Sequence, residues 1–342
     1  MKPTPSDVLP IPVLGHFMSD TITAFLVHDD SGELIAGPTT IGSDQLPDGD
    51  VEIDVEWSSL NFKDTLAASG DRRVAGDLPH VPGIDAAGTI RSTGEPVVVT
   101  GYGLGAPHWG GWAERIRVPA KWVCPLPAGL SLRESMQLGT AGLTAAMATD
   151  ALIRRDISPE SGPILVTGAT GGVGMLSVAL LSKLGYNVVA ATGKSSETSR
   201  LEQLGATRVI DRQEVAANSS GPLASSMWAG AVDVVGGDTL AAIIASMAPR
   251  GVIAACGLVG GTDLATTVYP FLLRGVTLAG IDSAGCPQEL RQSLWSNLAD
   301  TWRLEDLDSC TNEVTLHGLA EVMKLMQRGA HVGRTIVRLA DV

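Results

Sequence analysis

Ile164-Leu165-Val166-Thr167-Gly168-Ala169-Thr170-Gly171-Gly172-Val173-Gly174 is the stretch whose reading decides the fold. An aliphatic run stops at a glycine-rich turn, and residues 175–184 then carry helical spacing that ends at Gly185. Strand, glycine loop and helix in this order make a dinucleotide site. The first turn of a helix has unpaired N–H groups and partial positive charge, and residues without side chains let a pyrophosphate approach them. The glycines stand at 168, 171 and 174, a variant of the commoner G-x-G-x-x-G spacing. A turn that merely packs tightly would look the same over so short a stretch, so its surroundings must decide.

Residues 187–192, 207–211, 231–235, 251–256 and 277–281 are further apolar runs separated by helical segments. Continuous apolar strands alternating with helices predict an α/β fold whose parallel sheet is covered on both faces. With residues 164–166 the runs make a doubly wound nucleotide-binding domain. Upstream, residues 51–57 alternate acid and apolar in a half-exposed strand pattern, and glycine and proline punctuation recurs up to Pro127, as in a compact β-rich domain. A helical stretch over residues 132–153 joins the two. Past Ser283, residues 319–326 have helical spacing that stops at Gly329, and residues 334–339 read as a strand expected to fold back onto the first domain. The expected division is an extension over 1–22, a first domain over 23–145, the nucleotide domain over 146–283, and a return to the first domain over 284–342.

The proline-rich first twenty residues lack the uninterrupted apolar core of a secretion signal and read as a surface extension. The chain has 342 residues, 44% of them hydrophobic and 18% charged, which is enough for two buried cores. A formal net charge of -13 opposes binding to nucleic acid or an anionic membrane through a general field, so any anionic ligand must be met by local positive charge. Cys124, Cys256, Cys286 and Cys310 match no zinc or redox spacing, so reduced thiols and a cytoplasmic location are expected. No stretch is apolar enough over a bilayer's width to suggest a span.

Eight phrases carry a resemblance: residues 58–64 (SSLNFKD), 82–89 (PGIDAAGT), 108–111 (HWGG), 139–142 (GTAG), 228–233 (WAGAVD), 255–258 (ACGL), 270–274 (PFLLR) and 280–283 (GIDS). In this order and spacing the chain resembles the zinc-independent quinone-reductase branch of the medium-chain dehydrogenase/reductase superfamily, and more narrowly the bacterial acrylyl-CoA reductases. The resemblance implies a GroES-like β-rich catalytic domain plus a Rossmann domain, NADPH as cofactor, reduction of an activated carbon–carbon double bond, and a homodimer. The substrate it implies is an acyl-CoA thioester, acrylyl-CoA or another short-chain 2-enoyl-CoA. A quinone or enone reductase on the same scaffold is the alternative, and an NADPH-binding protein without catalysis is a second.

The second strand of the nucleotide domain ends Thr192-Gly193-Lys194 without the carboxylate that usually accepts from the ribose hydroxyls of NAD. Lys194 can therefore meet the extra phosphate of NADPH, with Arg212 as a second cation; both positions match cofactor contacts of the family, and ordinary solvated charges are the other reading. The resemblance carries Thr170, Gly171, Gly172 and Val173 to the pyrophosphate, and Thr140, Leu258, Leu272, Ser283 and Gly329 to the nicotinamide half or its walls. Leu258 and Leu272 could equally be core residues. Zinc alcohol dehydrogenases of the superfamily have Gly-His-Glu where this chain has Gly83-Ile84-Asp85, and no cysteine lies near, so no metal is expected.

Conjugate reduction needs the two carbons aligned and hydrogen-bond donors where charge develops on the thioester oxygen. Asn61 is the candidate polar group at the reacting end, or else a turn residue satisfying its own backbone. Asp64 is its candidate orienting partner or a relay to solvent, or else a helix-capping carboxylate or an ion-pair partner of Lys63 or Arg72. Phe62 stands where related sequences commonly carry tyrosine; ring stacking on the cofactor survives there, and an acid role does not. Tyr102, His108 and Trp109 are candidates for lining the same cleft, with a packed aromatic turn the favoured reading of each. Arg72, Arg73, Arg115, Lys121 and Arg274 are candidates for attracting the phosphates of CoA, with scattered solvated charges the favoured reading of most of them.

Overall fold

The computed structural model describes residues 20–217 and 221–339. The extension expected over 1–22 lies outside them except for its end, where Thr21 and Ile22 already belong to the first strand. An antiparallel hairpin of β1 (Thr21–Asp30) and β2 (Glu33–Gly42) leads into a larger sheet built from β3 (Val51–Leu60), β4 (Asp85–Ile90), β5 (Pro96–Thr100), β6 (Arg115–Val118) and β7 (Cys124–Pro125). Between β3 and β4 lie two short helices, α1 (Phe62–Ala68) and α2 (Arg72–Ala75).

The second sheet contains β8 (Ile164–Val166), β9 (Val188–Thr192), β10 (Arg208–Asp211), β11 (Trp228–Asp233), β12 (Met247–Ala255) and β13 (Thr277–Gly280), all parallel, in the order β10-β9-β8-β11-β12-β13. Strands β8, β9 and β11 are buried along their whole length, which is why they read as unbroken apolar runs. The order reverses between β8 and β11, and this switch point is where ligands sit at the carboxyl ends of such sheets. Strand β12 begins four residues before the expected 251: Met247 pairs with Trp228 across a register shift, and Pro249, with Arg250 at φ 62°, breaks the apolar pattern that a sequence reading depends on.

After β13 the chain returns to the first sheet through β14 (Thr311–Thr315) and β15 (Arg334–Arg338). Strand β15 pairs antiparallel with β3, and β14 pairs parallel with β15 on the outer edge. The sequence reading missed β14, whose residues TNEVT have no buried face and no apolar alternation. Among the described residues no helix is long and apolar enough to cross a membrane.

The long helix α3 (Leu132–Ile153) starts at a capping box in which the Ser131 hydroxyl accepts from Glu134 N at 3.1 Å while the Glu134 carboxylate accepts from Ser131 N at 2.8 Å. It packs against both sheets and against α4 (Gly172–Lys183), the helix after the glycine loop. Inside α3, Gly139 adopts φ 52°, ψ -152° and breaks the helix. A Cβ there would lie 2.5 Å from the Asp85 carboxylate and 2.8 Å from the Arg334 guanidinium. Glycine is thus required twice, for its backbone and for its empty side. Gly139→Ala is expected to destabilise the protein by about 3 kcal/mol or more, combining backbone strain with disturbance of a buried charge pair. Urea unfolding measures this, and an unchanged midpoint would show that the break can relax.

Candidate functional site

The glycine loop has the geometry that a pyrophosphate needs. Gly168 takes φ 54°, with a hypothetical Cβ 2.5 Å from Val234 Cγ2, and a Cβ on Gly174 would strike Gly168 O at 2.4 Å, so α4 lies close against the end of β8. Gly171 is the N-cap of α4 and places no side chain over its first turn; a Cβ there would meet only Gly168 O, at 3.4 Å. The N–H groups of that turn have no partners within the helix, and Gly172 and Val173 leave them open to an anion. Behind the loop, the Thr167 hydroxyl donates to Asp233 at 2.6 Å and joins β8 to β11.

At the end of β9, Lys194 and Arg212 come together around Gly193. A Cβ on Gly193 would be 3.0 Å from Arg212 Nε, and Lys194 Nζ donates to His331 O at 2.7 Å. The Thr192 hydroxyl accepts from Lys194 N and lies 3.3 Å from the Thr170 hydroxyl, joining this corner to the glycine loop. Arg212 is exposed and its side chain has no partner among the described residues. The return segment closes over the same corner, with Gly333 N donating to Thr170 O at 2.9 Å. Burial, with Arg334 and Lys194 adding, pushes the His331 imidazole down to about 4, so that it is neutral beside the lysine.

Where the sequence reading expects the reacting end, the structure has a buried polar cluster. The break at Gly139 leaves Thr140 N without a helical partner, and it donates to both oxygens of Asp85, at 3.0 and 2.9 Å; the Thr140 hydroxyl donates to Asp85 at 2.6 Å. Asp85 also accepts from the Ser59 hydroxyl at 2.6 Å and from Asn61 Nδ2 at 2.8 Å. On the other side of the break, Arg334 donates to Gln137 O, Met136 O, Leu60 O and Asn61 Oδ1 at 3.0 to 3.3 Å. Arg334 and Asp85 are 4.0 Å apart and essentially inaccessible. Burial holds the guanidinium below its ordinary value, with Asp85 opposing.

This arrangement changes the expected roles of Asn61 and Asp64. The Asn61 amide gives its hydrogens to Asp85 and Ser59 and its oxygen to Arg334, so it is not a free donor at the reacting end but is held from three sides. Asp64 is fully buried and so relays nothing directly to solvent, and it pairs with neither Lys63 nor Arg72. It accepts from Asn61 N at 2.7 Å at the start of α1, and from Gly83 N and Ile84 N at 3.1 and 2.8 Å. It orients Asn61 through the backbone.

Phe62, the first residue of α1, leaves its ring 44% exposed. Leu258 and Leu272 are 62% and 76% exposed, which overturns the core reading for both. Ser283 is half-buried, with its carbonyl bound by Arg291 at 3.0 Å; Gly329 is exposed at φ 69° just past the helix Leu319–Gln327. Tyr102 stacks on Trp122 and donates to Gln288, and His108 packs edge-on against the same indole, a packed aromatic turn. Sequence reasoning missed Asp85, Ser59, Arg334 and His331 as site residues; the signal available was a glycine inside an otherwise helical run at 139.

Comparison with known proteins gives these contacts a context. A model described as alcohol dehydrogenase GroES-like domain matches residues 47–128, and one described as zinc-binding dehydrogenase matches residues 172–300. The chain is 40% identical to the acrylyl-CoA reductase AcuI of Ruegeria pomeroyi over 316 residues, covering 90% of this chain and 96% of the relative. It belongs to the medium-chain dehydrogenase/reductase superfamily. Within that superfamily, the YhdH oxidoreductase of Salmonella enterica, solved in complex with NADP, superposes with a TM-score of 0.90 at 42% identity, covering 93% of this chain and all of that one. YhfP of Bacillus subtilis, solved with NAD bound, gives 0.90 at 40% identity over 94% and 100%. Where zinc-dependent members of the superfamily carry Gly-His-Glu, this chain turns the Asp85 carboxylate inward, onto Thr140, Ser59 and Asn61.

Burial pushes the Asp64 carboxyl up from 3.8 to about 7, with Asp85 adding and the three backbone donors opposing. Folding therefore favours protonated Asp64. That contribution is complete below pH 3.8 and is lost as pH rises through about 7. Asp64→Asn removes the titration along with one oxygen acceptor, so the variant is less stable than the wild type by a margin that narrows between pH 5 and pH 8. Thermal unfolding of both proteins across that range is the measurement, and a constant margin would contradict the shift.

Proposed function

We propose that the protein reduces the carbon–carbon double bond of acrylyl-CoA, or of a related short-chain 2-enoyl-CoA, to the saturated thioester with NADPH. The observation that carries this reading is the match to the Ruegeria reductase over nine-tenths of the chain, and the site agrees with it. Lys194 and Arg212 flank the end of β9 where an adenosine phosphate would lie, and the open first turn of α4 suits the pyrophosphate.

When bound, the cofactor supplies hydride to the β-carbon of the alkene. The chain's own part is positioning. The Thr140 hydroxyl spends its one hydrogen on Asp85, so toward the cleft it can only accept, which suits the amide hydrogens of a nicotinamide carboxamide. Phe62 offers its exposed ring for stacking. Asn61, locked by Asp85, Ser59 and Arg334, forms a fixed wall beside the reacting carbons. The α-carbon takes its proton from water, since Phe62 brings no hydroxyl and Asp64 is sealed under α1. Leu258, Leu272, Ser283 and Gly329 border the nicotinamide half in this reading.

A homodimer is the assembly we propose. It is supported by β13, an outer strand of its sheet, and by the exposed Val268 and Leu273 nearby. Sedimentation at micromolar concentration checks it.

NADPH oxidation followed with acrylyl-CoA, crotonyl-CoA and a small quinone in parallel tests the function. Acrylyl-CoA wins by catalytic efficiency under this reading. A winning quinone would establish the enone or quinone reductase instead, and cofactor binding without turnover a non-catalytic protein. In the same assay Asn61→Ala lowers turnover about 100-fold while NADPH affinity changes little, the cost of a misplaced wall at the reacting centre; normal turnover would remove Asn61 from the mechanism. Lys194→Ala with Arg212→Ala lowers the ratio of NADPH to NADH efficiency about tenfold or more, and an unchanged ratio would place the phosphate elsewhere.

A further inference from the structure

The cations that the sequence offers for CoA are not equivalent in the fold. Arg115 is tied to Asp54 at 2.9 Å, Arg274 donates to the carbonyls of Ala245 and Met247, and Lys121 is exposed without a side-chain partner among the described residues but lines no cavity with the others. Arg72 and Arg73 instead line one open surface cavity of about 190 Å³, together with Gly76, Pro107 and Lys63, a cation the sequence reading did not assign to CoA. Gly76, at φ 70°, presses against Pro107, where a Cβ would lie 3.0 Å from the ring, so that wall has little room to collapse. Of the acids beside the cavity, Asp71 holds Arg73 at 2.6 and 3.0 Å and caps α2 by accepting from Arg73 N, while exposed Asp77 follows Gly76 in the chain. Lys63 and Arg72 are exposed, and neither side chain has a partner among the described residues.

In a chain of net charge -13, two unpaired cations at one concave site form a local attraction for an anion that the general field opposes. Its place in the fold matters as well. Lys63 directly follows Phe62, whose ring is exposed beside Asn61, so a lining residue of the cavity stands two positions from Asn61. It also lies on the catalytic domain, whereas the cations at Gly193 lie on the nucleotide domain. A CoA thioester carries its acyl group at one end and a pyrophosphate and a ribose phosphate at the other, and it needs a cationic site distinct from that of the cofactor.

We propose that this cavity receives phosphate groups of the CoA moiety, with Lys63 and Arg72 as the contacting cations and Arg73 bordering them. This inference rests on the enoyl-CoA reading above. The test compares wild type with Lys63→Gln/Arg72→Gln, using acrylyl-CoA and S-acryloyl-N-acetylcysteamine, which is the same reacting group without phosphates. Calorimetric titration of CoA into the NADPH-loaded protein gives a readout independent of turnover. The expected result is a rise of about tenfold or more in KM for acrylyl-CoA and in Kd for CoA, with turnover of the truncated thioester and affinity for NADPH retained. Lys63→Arg/Arg72→Lys, which keeps both charges, is expected to recover most of the loss. If the Gln variant keeps its KM and Kd for CoA, or loses activity equally on both thioesters, the cavity assignment is overturned while the enoyl-CoA reading stands. If the wild type neither binds CoA nor prefers acrylyl-CoA to the truncated thioester, the enoyl-CoA reading falls and the cavity assignment with it.

Discussion

Thr140 can leave its helix because Asp85 and Arg334 take over the hydrogen bonds that the break at Gly139 sets free. A helix interrupted in the protein interior exposes N–H groups on one side of the break and carbonyls on the other, and buried groups of either kind are costly when unpaired. Asp85 meets the first need through Thr140 N, and Arg334 meets the second through Met136 O and Gln137 O. A buried ion pair is weak evidence for stability by itself, since desolvation offsets most of the attraction. This one is different in kind, because each partner also binds backbone groups at the break. Removing either would leave the other as an uncompensated buried charge, at a cost of roughly 3 to 5 kcal/mol.

The same pair sets the relation between the two sheets. Asp85 opens β4, Arg334 opens β15, and both strands belong to the sheet of the first domain, while α3 packs on α4 at the mouth of the glycine loop. Arg334 also lies against that loop, where a Cβ on Gly172 would be 3.0 Å from its Cδ. One step earlier in the chain, Gly333 N binds Thr170 O, and two steps before that the carbonyl of His331 receives Lys194. The return segment therefore holds the pyrophosphate loop, the corner beyond β9 and the polar cluster in one frame. Hydride transfer depends on such a frame, since small displacements of the reacting carbons are expensive.

The nucleotide domain was legible in the sequence because its strands are buried on both faces and leave a continuous apolar trace, as β8, β9 and β11 show. The closing strand β15 was legible for a similar reason, whereas β14 lies at an edge with polar side chains and leaves none. The polar cluster was harder to read. Asn61 and Asp64 were recognisable as important residues, but their use is fixed by partners 20 or more positions away, Asp85 and Ile84 among them, and by Arg334 near the other end of the chain. No local pattern records such contacts. Leu258 and Leu272 show the opposite ambiguity: an apolar residue in a short run looks the same whether it fills a core or waits at a surface, and only the fold showed both to be exposed.

The distribution of positive charge follows from the same economy. A strongly acidic protein that must hold anionic ligands cannot rely on its overall field, so it must leave particular cations uncommitted. Most of the arginines discussed are spent: Arg334 and Arg274 on backbone carbonyls, Arg291 on Thr100 and the Ser283 carbonyl, Arg115 on Asp54. Arg212, Lys63 and Arg72 have no side-chain partner among the described residues, and Lys194 gives one hydrogen to His331 O and keeps two. These four fall into two groups on different domains, one beyond β9 and one beside α1, while Lys121, likewise exposed and without a partner among the described residues, belongs to neither. Under the enoyl-CoA reading, that separation keeps the phosphates of the cofactor and of the substrate from competing for the same charges.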